Sequence, residues 1–462
     1  MDDFEWKAIC RLPLAKSVIL LFDHICNPVF LPAVFQKYKG RSYERELQFP
    51  TFLFIISDAL LQHHGSGHES MKRFADNGDL NVSMEAVYGK LRRAPITLSC
   101  GLLAECTNRL AELTPSRSGK LPESLKHFQM IVVDGKKIKN VAKRLAPLRK
   151  IKGAVLGGKV LAALSLNNGM VVSISADADG EANDTPLVPA LLESVKEAIK
   201  GTKLFILDAQ FCDLTQPPLL SAGGNHFLVR YHPKVSFHRD KTAKIRRGKD
   251  RQGRKYLEEW GYIGAEGNKK RRYVRRITLR RSGEENIILV TDLLDADVHP
   301  AIDLLDAYLM RWGIEVVFQK ITDIFHLDSL IASTPEGTIF QCAFCMLLYN
   351  MMELIRQYVA FTAVRDLEEI SMSSFCYDVH RQLVAWSEMV GPTLTVDYFE
   401  LNLSSNEMRE ELIGLLNNVW TDLWKKSPKK RNPKKKPMTK QYIKGGHTSV
   451  ARVLKNTQEH PI

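Results

Sequence analysis

The chain of 462 residues contains no uninterrupted apolar stretch near the ~18 residues that a membrane span requires. It opens on Asp2, Asp3 and Glu5 where a secretory signal would carry basic residues. A cytoplasmic protein without a membrane partner is therefore expected. Cysteine is sparse: Cys10, Cys26, Cys100, Cys106, Cys212, Cys342, Cys345 and Cys376 are scattered, mostly within apolar runs, which suits reduced core thiols and excludes a disulfide framework. Cys342 and Cys345 form a CxxC, but no second pair completes a zinc site, and both fall in the apolar stretch Ile339 to Met352. A structural role is expected for them. No internal repeat is present, and the 45% hydrophobic and 25% charged content is ordinary for a globular chain. At this length the chain can bury a sizeable core and divide into two or three units.

Acid is missing from Lys425 to Lys444, which carries ten Lys/Arg, and is scarce from Lys234 to Arg281, with 18 Lys/Arg against 5 Asp/Glu. The whole chain nets +13, so everything outside these two segments is net acidic. Basic charge concentrated at two places points to a polyanionic partner, because neutralising phosphates releases condensed counterions.

Residues 1–125 have a helical texture without alternating strands, and are expected to be a helical N-terminal unit. Within it Ser83 is placed to cap a helix with Ala86, Val87 and Leu91 facing inward and Lys90, Arg92 and Arg93 near its end, stopped by Pro95. Such a helix could read DNA or simply pack. His64 and His68 have metal-like spacing, but Gly65 and Gly67 make a helical ligand pair a poor reading, and both are expected in a loop.

From Phe128 the pattern changes to short apolar runs at Met130 to Val133, Val160 to Leu166, Met170 to Ile174, Leu204 to Leu207 and Phe227 to Val229. Asn167, Asn168 and Gly169 join the second and third as a hairpin, and Pro186 opens a helix through Ile199. Three strands, helix, strand, helix, strand is the element order of a ribonuclease H-like core, an α/β mixed sheet with flanking helices. It is expected over 126–345, with a basic β-rich insertion at about 232–292. A helical region follows over 346–424, then a basic tail at 425–462, expected to be disordered when free.

Asp134 follows Ile131, Val132 and Val133, and Asp208 follows Phe205, Ile206 and Leu207. Each is expected at the end of a buried strand, so two carboxylates on neighbouring strands would share one crevice. Such hard oxygen ligands suit Mg²⁺ or Mn²⁺. On one helix, Tyr308, Arg311 and Glu315 would stand on a single face, bringing a third carboxylate and a guanidinium to the same place.

Tyr, two residues, Arg, three residues, Glu, with its Arg-Trp-x-Ile-Glu words, resembles the insertion sequence four (IS4-like) group of DDE transposases. Val290, Thr291, Asp292 and Leu293 before it and Tyr349 and Asn350 after it resemble that family too. The resemblance implies that Asp134, Asp208 and Glu315 are catalytic and hold two divalent ions, Mg²⁺ or Mn²⁺, ~3.5 to 4 Å apart. It implies a bacterial enzyme, held at the nucleoid through DNA, that cuts transposon terminal inverted repeats, joins them to target DNA, and pairs two ends as a homodimer. Tyr308 and Arg311 would orient phosphates, Arg230 would contact phosphate, and Trp260 in the insertion would stack on an extruded base or else pack in a core. Where the family places a Lys seven residues after the Glu, this chain has Thr322, and Lys320 lies five residues on, about 140° around a helix from Glu315. Two other readings remain at this point: a transposase-derived DNA-binding protein without cleavage, and a metal-dependent nuclease on the same fold.

Overall fold

A computed structural model describes residues 11–115, 121–139, 141–329, 331–390, 403–427 and 448–459. Its centre is a ten-stranded mixed sheet. The strands are β1 (Gln129–Lys137), β2 (Lys159–Ser165), β3 (Val171–Asp177), β4 (Lys203–Leu207), β5 (His226–Arg230), β6 (Phe237–Arg239), β7 (Arg246–Lys249), β8 (Lys255–Ile263), β9 (Arg272–Leu279) and β10 (Ile287–Thr291). They lie in the order β3-β2-β1-β4-β5-β10-β9-β8, with β6 and β7 both pairing β8. β1, β2 and β3 form an antiparallel meander, and β1, β4 and β5 run parallel, the ribonuclease H-like arrangement. The insertion is no separate body: β10 pairs antiparallel with β5 and carries the same sheet outward. Thr291 Oγ1 donates to Phe227 O at 2.6 Å, and Phe227 N donates to Asp292 Oδ1 at 3.0 Å, latching this joint. Those two residues of the Val-Thr-Asp-Leu word therefore serve the fold.

The helices are α1 (Pro13–Ile25), α2 (Phe30–Tyr38), α3 (Phe49–Leu61), α4 (Gly67–Asp76), α5 (Met84–Arg92), α6 (Ile96–Ala111), α7 (Val188–Ala198), α8 (Ala301–Leu309), α9 (Trp312–Asp323), α10 (Pro335–Thr362), α11 (Met372–Val390), α12 (Ser405–Leu416) and α13 (Val450–Glu459). Strand periodicity sorts the sheet residues between two layers. Met130, Val132, Ala162 and Ile206 join a core with α6 and α10, while Ile131, Val133, Leu161 and Phe205 pack with Leu191 and Val195 of α7. The first of these cores runs without a break from Leu14 to Val450, so the N-terminal helices share it with the sheet and with the C-terminal helices. α10, of 28 residues, is long and apolar enough to cross a membrane by length and composition, contrary to the sequence estimate, and its apolar window is wholly buried.

Two further expectations change. His68 lies on α4, capped by Ser66, and only His64 is in the loop, at φ 50 with its Nδ1 3.1 Å from His326 Nε2. The tail is not wholly free: Thr448–Ser449 pairs with Val155–Leu156, and Arg452 of α13 bonds Asp179 at 2.8 Å and Glu181 at 2.5 Å. Residues 428–447, with most of the basic run, lie outside the described residues. Trp424, placed at the end of the helical region, is buried, its Nε1 donating to Asp378 Oδ2 at 2.7 Å.

Asn350 of α10 fastens the layers. Its Nδ2 donates to Val171 O at 2.9 Å and Thr107 Oγ1 at 2.8 Å, and its Oδ1 accepts from Val171 N at 2.9 Å, all buried. Asn350→Ala leaves both Val171 backbone groups unsatisfied, and a loss of about 2 to 4 kcal/mol is expected. Urea titration followed by tryptophan fluorescence checks this; a midpoint within error of the wild type would mean that the clamp is dispensable.

Candidate active site

The parallel register aligns the candidate residues. Val133 of β1 pairs with Leu207 of β4, and Leu207 with Val229 of β5. Asp134, Asp208 and Arg230 are the next residues on these three adjacent strands, so they fall on one rung at one edge of the parallel sheet. Asp134 is not at its strand's end, as the sequence suggested: β1 continues to Lys137 against β2, with Asp134 opposite Ala162. What ends there is the pairing with β4, which stops at Leu207 and leaves Asp134 a crevice on that side. By strand alternation Asp134 follows Met130 and Val132, and so points to the layer that holds α9. Gly135 is needed at the next position: a Cβ there would sit 2.3 Å from Asp184 Oδ1.

Tyr308 and Glu315 do not share one uninterrupted helix. α8 stops at Leu309 and α9 begins at Trp312, with Arg311 at the junction. Arg311 N donates to Tyr308 O at 3.0 Å and Gly313 N to Met310 O at 2.9 Å, bonds three residues apart that tighten the turn. The three side chains still converge. Tyr308 Oη donates to Asp208 Oδ1 at 3.4 Å; Arg311 Nη1 donates to Asp134 Oδ2 at 3.1 Å, and Nη2 to Glu315 Oε1 at 2.8 Å. One guanidinium, only 6% exposed, thus joins a strand carboxylate to a helix carboxylate.

The electrostatics follow. Burial pushes the Asp134 carboxyl up to about 6; the Gly135 N–H, at 2.8 Å, and Arg311 oppose the shift, and the Glu315 and Asp208 charges add to it. For Arg311, burial works against the charge, but Tyr308, Asp208, Asp134 and Glu315 outweigh it and its pKa is raised. Two Asp and one Glu are the oxygen donors a hard divalent ion takes, and the excess negative charge felt by Asp134 is what such an ion would relieve, so the donor set fits. Among the described residues no three such groups stand together as a ready-made metal cluster; Arg311 lies between two of them.

The remaining candidates divide. Arg230 ion-pairs with Glu285 at 2.8 Å and is close enough to Tyr308 for its charge to be felt there. Lys320 turns away, its Nζ donating to Ser373 Oγ of α11 at 2.7 Å. Thr322 Oγ1 donates to Phe318 O at 2.9 Å and accepts from Lys136 Nζ at 3.3 Å, so a lysine does stand beside this position, supplied by β1. Trp260 is pinned in β8: its Nε1 donates to Leu294 O at 2.9 Å, and it pairs with Arg275, whose guanidinium is 5.8 Å from the ring. Sequence reasoning missed Lys136, although two residues beyond Asp134 on a strand means the same face. It also passed over Trp312, which is 58% exposed beside Arg311 and was legible only as one letter of the motif.

Residues 128–351 match the transposase DDE domain family. The chain is 36% identical over 72 residues to the transposase for insertion sequence element IS421 of Escherichia coli, and equally to the InsL protein for element IS186A of Escherichia coli K12. Those stretches are 16% of this chain, and the chain spans about a fifth (19%) of the length of these relatives. A piggyBac transposase synaptic complex with hairpin DNA aligns over 87% of this chain and 86% of its own at 9% identity, with a TM-score of 0.41, too distant to bear on function.

Arg311→Gln removes the only guanidinium between Asp134 and Glu315, so the Asp134 pKa should rise further. Because a raised carboxyl pKa opposes folding only where the group is ionised, the added loss of stability should be absent below pH 4 and grow as pH passes through and above 6. Thermal melts without metal at pH 4 and pH 8 check this; equal losses at both would show that Arg311 does not screen these carboxylates.

Proposed function

We propose that this chain cuts DNA at transposon ends and joins the freed strands to target DNA, with Asp134, Asp208 and Glu315 holding two divalent ions, Mg²⁺ or Mn²⁺. The observation that carries the reading is the placement of Asp134 and Asp208 on one rung of adjacent parallel strands, with Glu315 tied to Asp134 through Arg311. When bound, the ions supply activation of water or a DNA 3′-hydroxyl and stabilisation of the leaving oxygen. In this reading Asp134, Asp208 and Glu315 would hold the ions, with Arg311 giving way between two of them, and none of the three forms a bond to DNA. Arg311, relieved of its screening duty, is the donor for a phosphate next to the cut; its buried Nε has no partner among the described residues, leaving one N–H to be satisfied. Tyr308 holds Asp208 by its hydroxyl and walls the crevice against water. Trp312, rather than the pinned Trp260, is the aromatic that a displaced base would stack on. Arg230 would leave Glu285 for a phosphate. Two copies would pair the two ends, as expected of the family.

Glu315→Gln and Asp208→Ala should each abolish metal-dependent nicking of a duplex carrying the gene's own flanking ends, a fall of at least 10³-fold, while end binding changes less than threefold. Gel analysis of labelled strands with Mg²⁺ or Mn²⁺, beside a binding titration, measures both. Nicking that survives Asp208→Ala would remove this site from the reaction. Trp312→Ala should slow cleavage 10-fold or more, whereas Trp260→Phe should lower thermal stability and leave the cleavage rate of the folded enzyme unchanged.

A further inference from the structure

Positive charge without an acidic partner is not confined to the two basic segments conspicuous in the sequence. In the insertion, Arg246, Arg251, Arg254, Arg275, Arg276 and Arg281 each sit on a carboxylate. By contrast, the stretch directly after Asp134 holds no Asp or Glu until Asp177, yet eight Lys/Arg fall between Lys136 and Lys152. Lys137, Lys139, Lys150 and Lys152 are all exposed, and none has an acidic partner among the described residues. Like charges crowded on one loop repel, and nothing in the chain near them in sequence offsets it; a polyanion would.

The loop continues into a second basic surface. Arg144 lies with its guanidinium 5.4 Å from the Tyr88 ring of α5 and donates to Ile331 O at 3.1 Å, which joins the loop to that helix. Beyond α5 is a groove of about 470 Å³ with Arg41, Arg45, Lys90 and Arg93 on its walls and Glu46 as its acid. Gly89 shapes it: the Arg93 guanidinium folds back to within 3.1 Å of where a Cβ would stand.

We propose that loop 136–152 and the α5 groove form one track for the phosphate backbone of duplex DNA, leading away from the carboxylate crevice without reading sequence. This rests on the reading of the chain as a DNA-cutting enzyme. Lys137 is three residues beyond Asp134 on the same strand, ~10 Å at the rise of a β-strand, so a duplex cut at the crevice meets the loop within its first turn. The track binds the duplex that flanks the cut, and its lysines contact phosphates alone.

The test is binding of the full chain to a labelled random-sequence duplex that lacks element ends, without metal, over a range of salt. Two variants are compared with wild type: Lys137→Gln with Lys139→Gln, Lys150→Gln and Lys152→Gln, and Arg41→Gln with Arg45→Gln and Arg93→Gln. Thermal melts should match the wild type, since these side chains are on the surface. The slope of log K against log salt should lose about 0.9 per phosphate contact removed, so about two to four in the loop variant, with affinity near 0.15 M salt falling 10- to 100-fold. An unchanged slope in either variant overturns the track. No cleavage enters this assay, so its failure leaves the catalytic reading standing, and loss of Asp208-dependent nicking would leave this binding result unaffected.

Discussion

Three carboxylates cannot be gathered into a half-buried crevice without a cation, and the arrangement around β1, β4 and α9 is organised by that constraint. At ~4 Å and an effective dielectric constant near 20, one pair of like charges costs roughly 4 kcal/mol. Arg311 answers this by standing between Asp134 and Glu315 at 3.1 and 2.8 Å. Its position at the junction of α8 and α9 matters, because the tightened turn there sets the angle at which α9 delivers Glu315 toward the strand edge. Placed in mid-helix, the same guanidinium would have its backbone direction dictated by the helix.

The precision of that crevice depends on parts remote from it. Asn350 fixes β3 to α6 and α10, and the common core from Leu14 to Val450 makes the N-terminal helices part of the support for the sheet. The insertion extends the same sheet, and its buried Arg275 bonds Glu258 and His299 O, so part of its basic composition serves internal cohesion. A paired arginine still contributes long-range field, but its donors are already spent. That distinction separates these paired arginines from the exposed lysines of loop 136–152, which have no carboxylate partner among the described residues.

Much of this was legible from residues alone. The apolar runs placed β2, β4 and β5 within a residue or two, because strand alternation and turn residues are local signals. Asp134 and Asp208 were legible for the same reason, each following its run. What escaped was set by partners distant in sequence. No local signal says that β1 outruns β4, that α8 breaks at Arg311, or that Trp260 spends its indole N–H on Leu294. Thr322 looked like a missing lysine because the search went along one helix, while the nearby cation, Lys136, comes from a strand 186 residues away. Counting basic residues located charge but not its pairing, since charge counts do not distinguish an arginine on a carboxylate from a lysine facing water.

The unpaired Nε of Arg311 ties these observations together. A buried N–H without an acceptor costs about 1 to 3 kcal/mol, and a fold this closely packed would shed that cost if the resting position were the working one. Screening two carboxylates with Nη1 and Nη2 leaves the third edge of the fork unused; a phosphate could take Nε and one Nη together, the bidentate geometry that guanidinium prefers. Divalent ions at the carboxylates would remove the need for the screen and release Arg311 at the moment a phosphate arrives. On the proposed function, the same residue would hold the site together without ions and take a phosphate when they are bound.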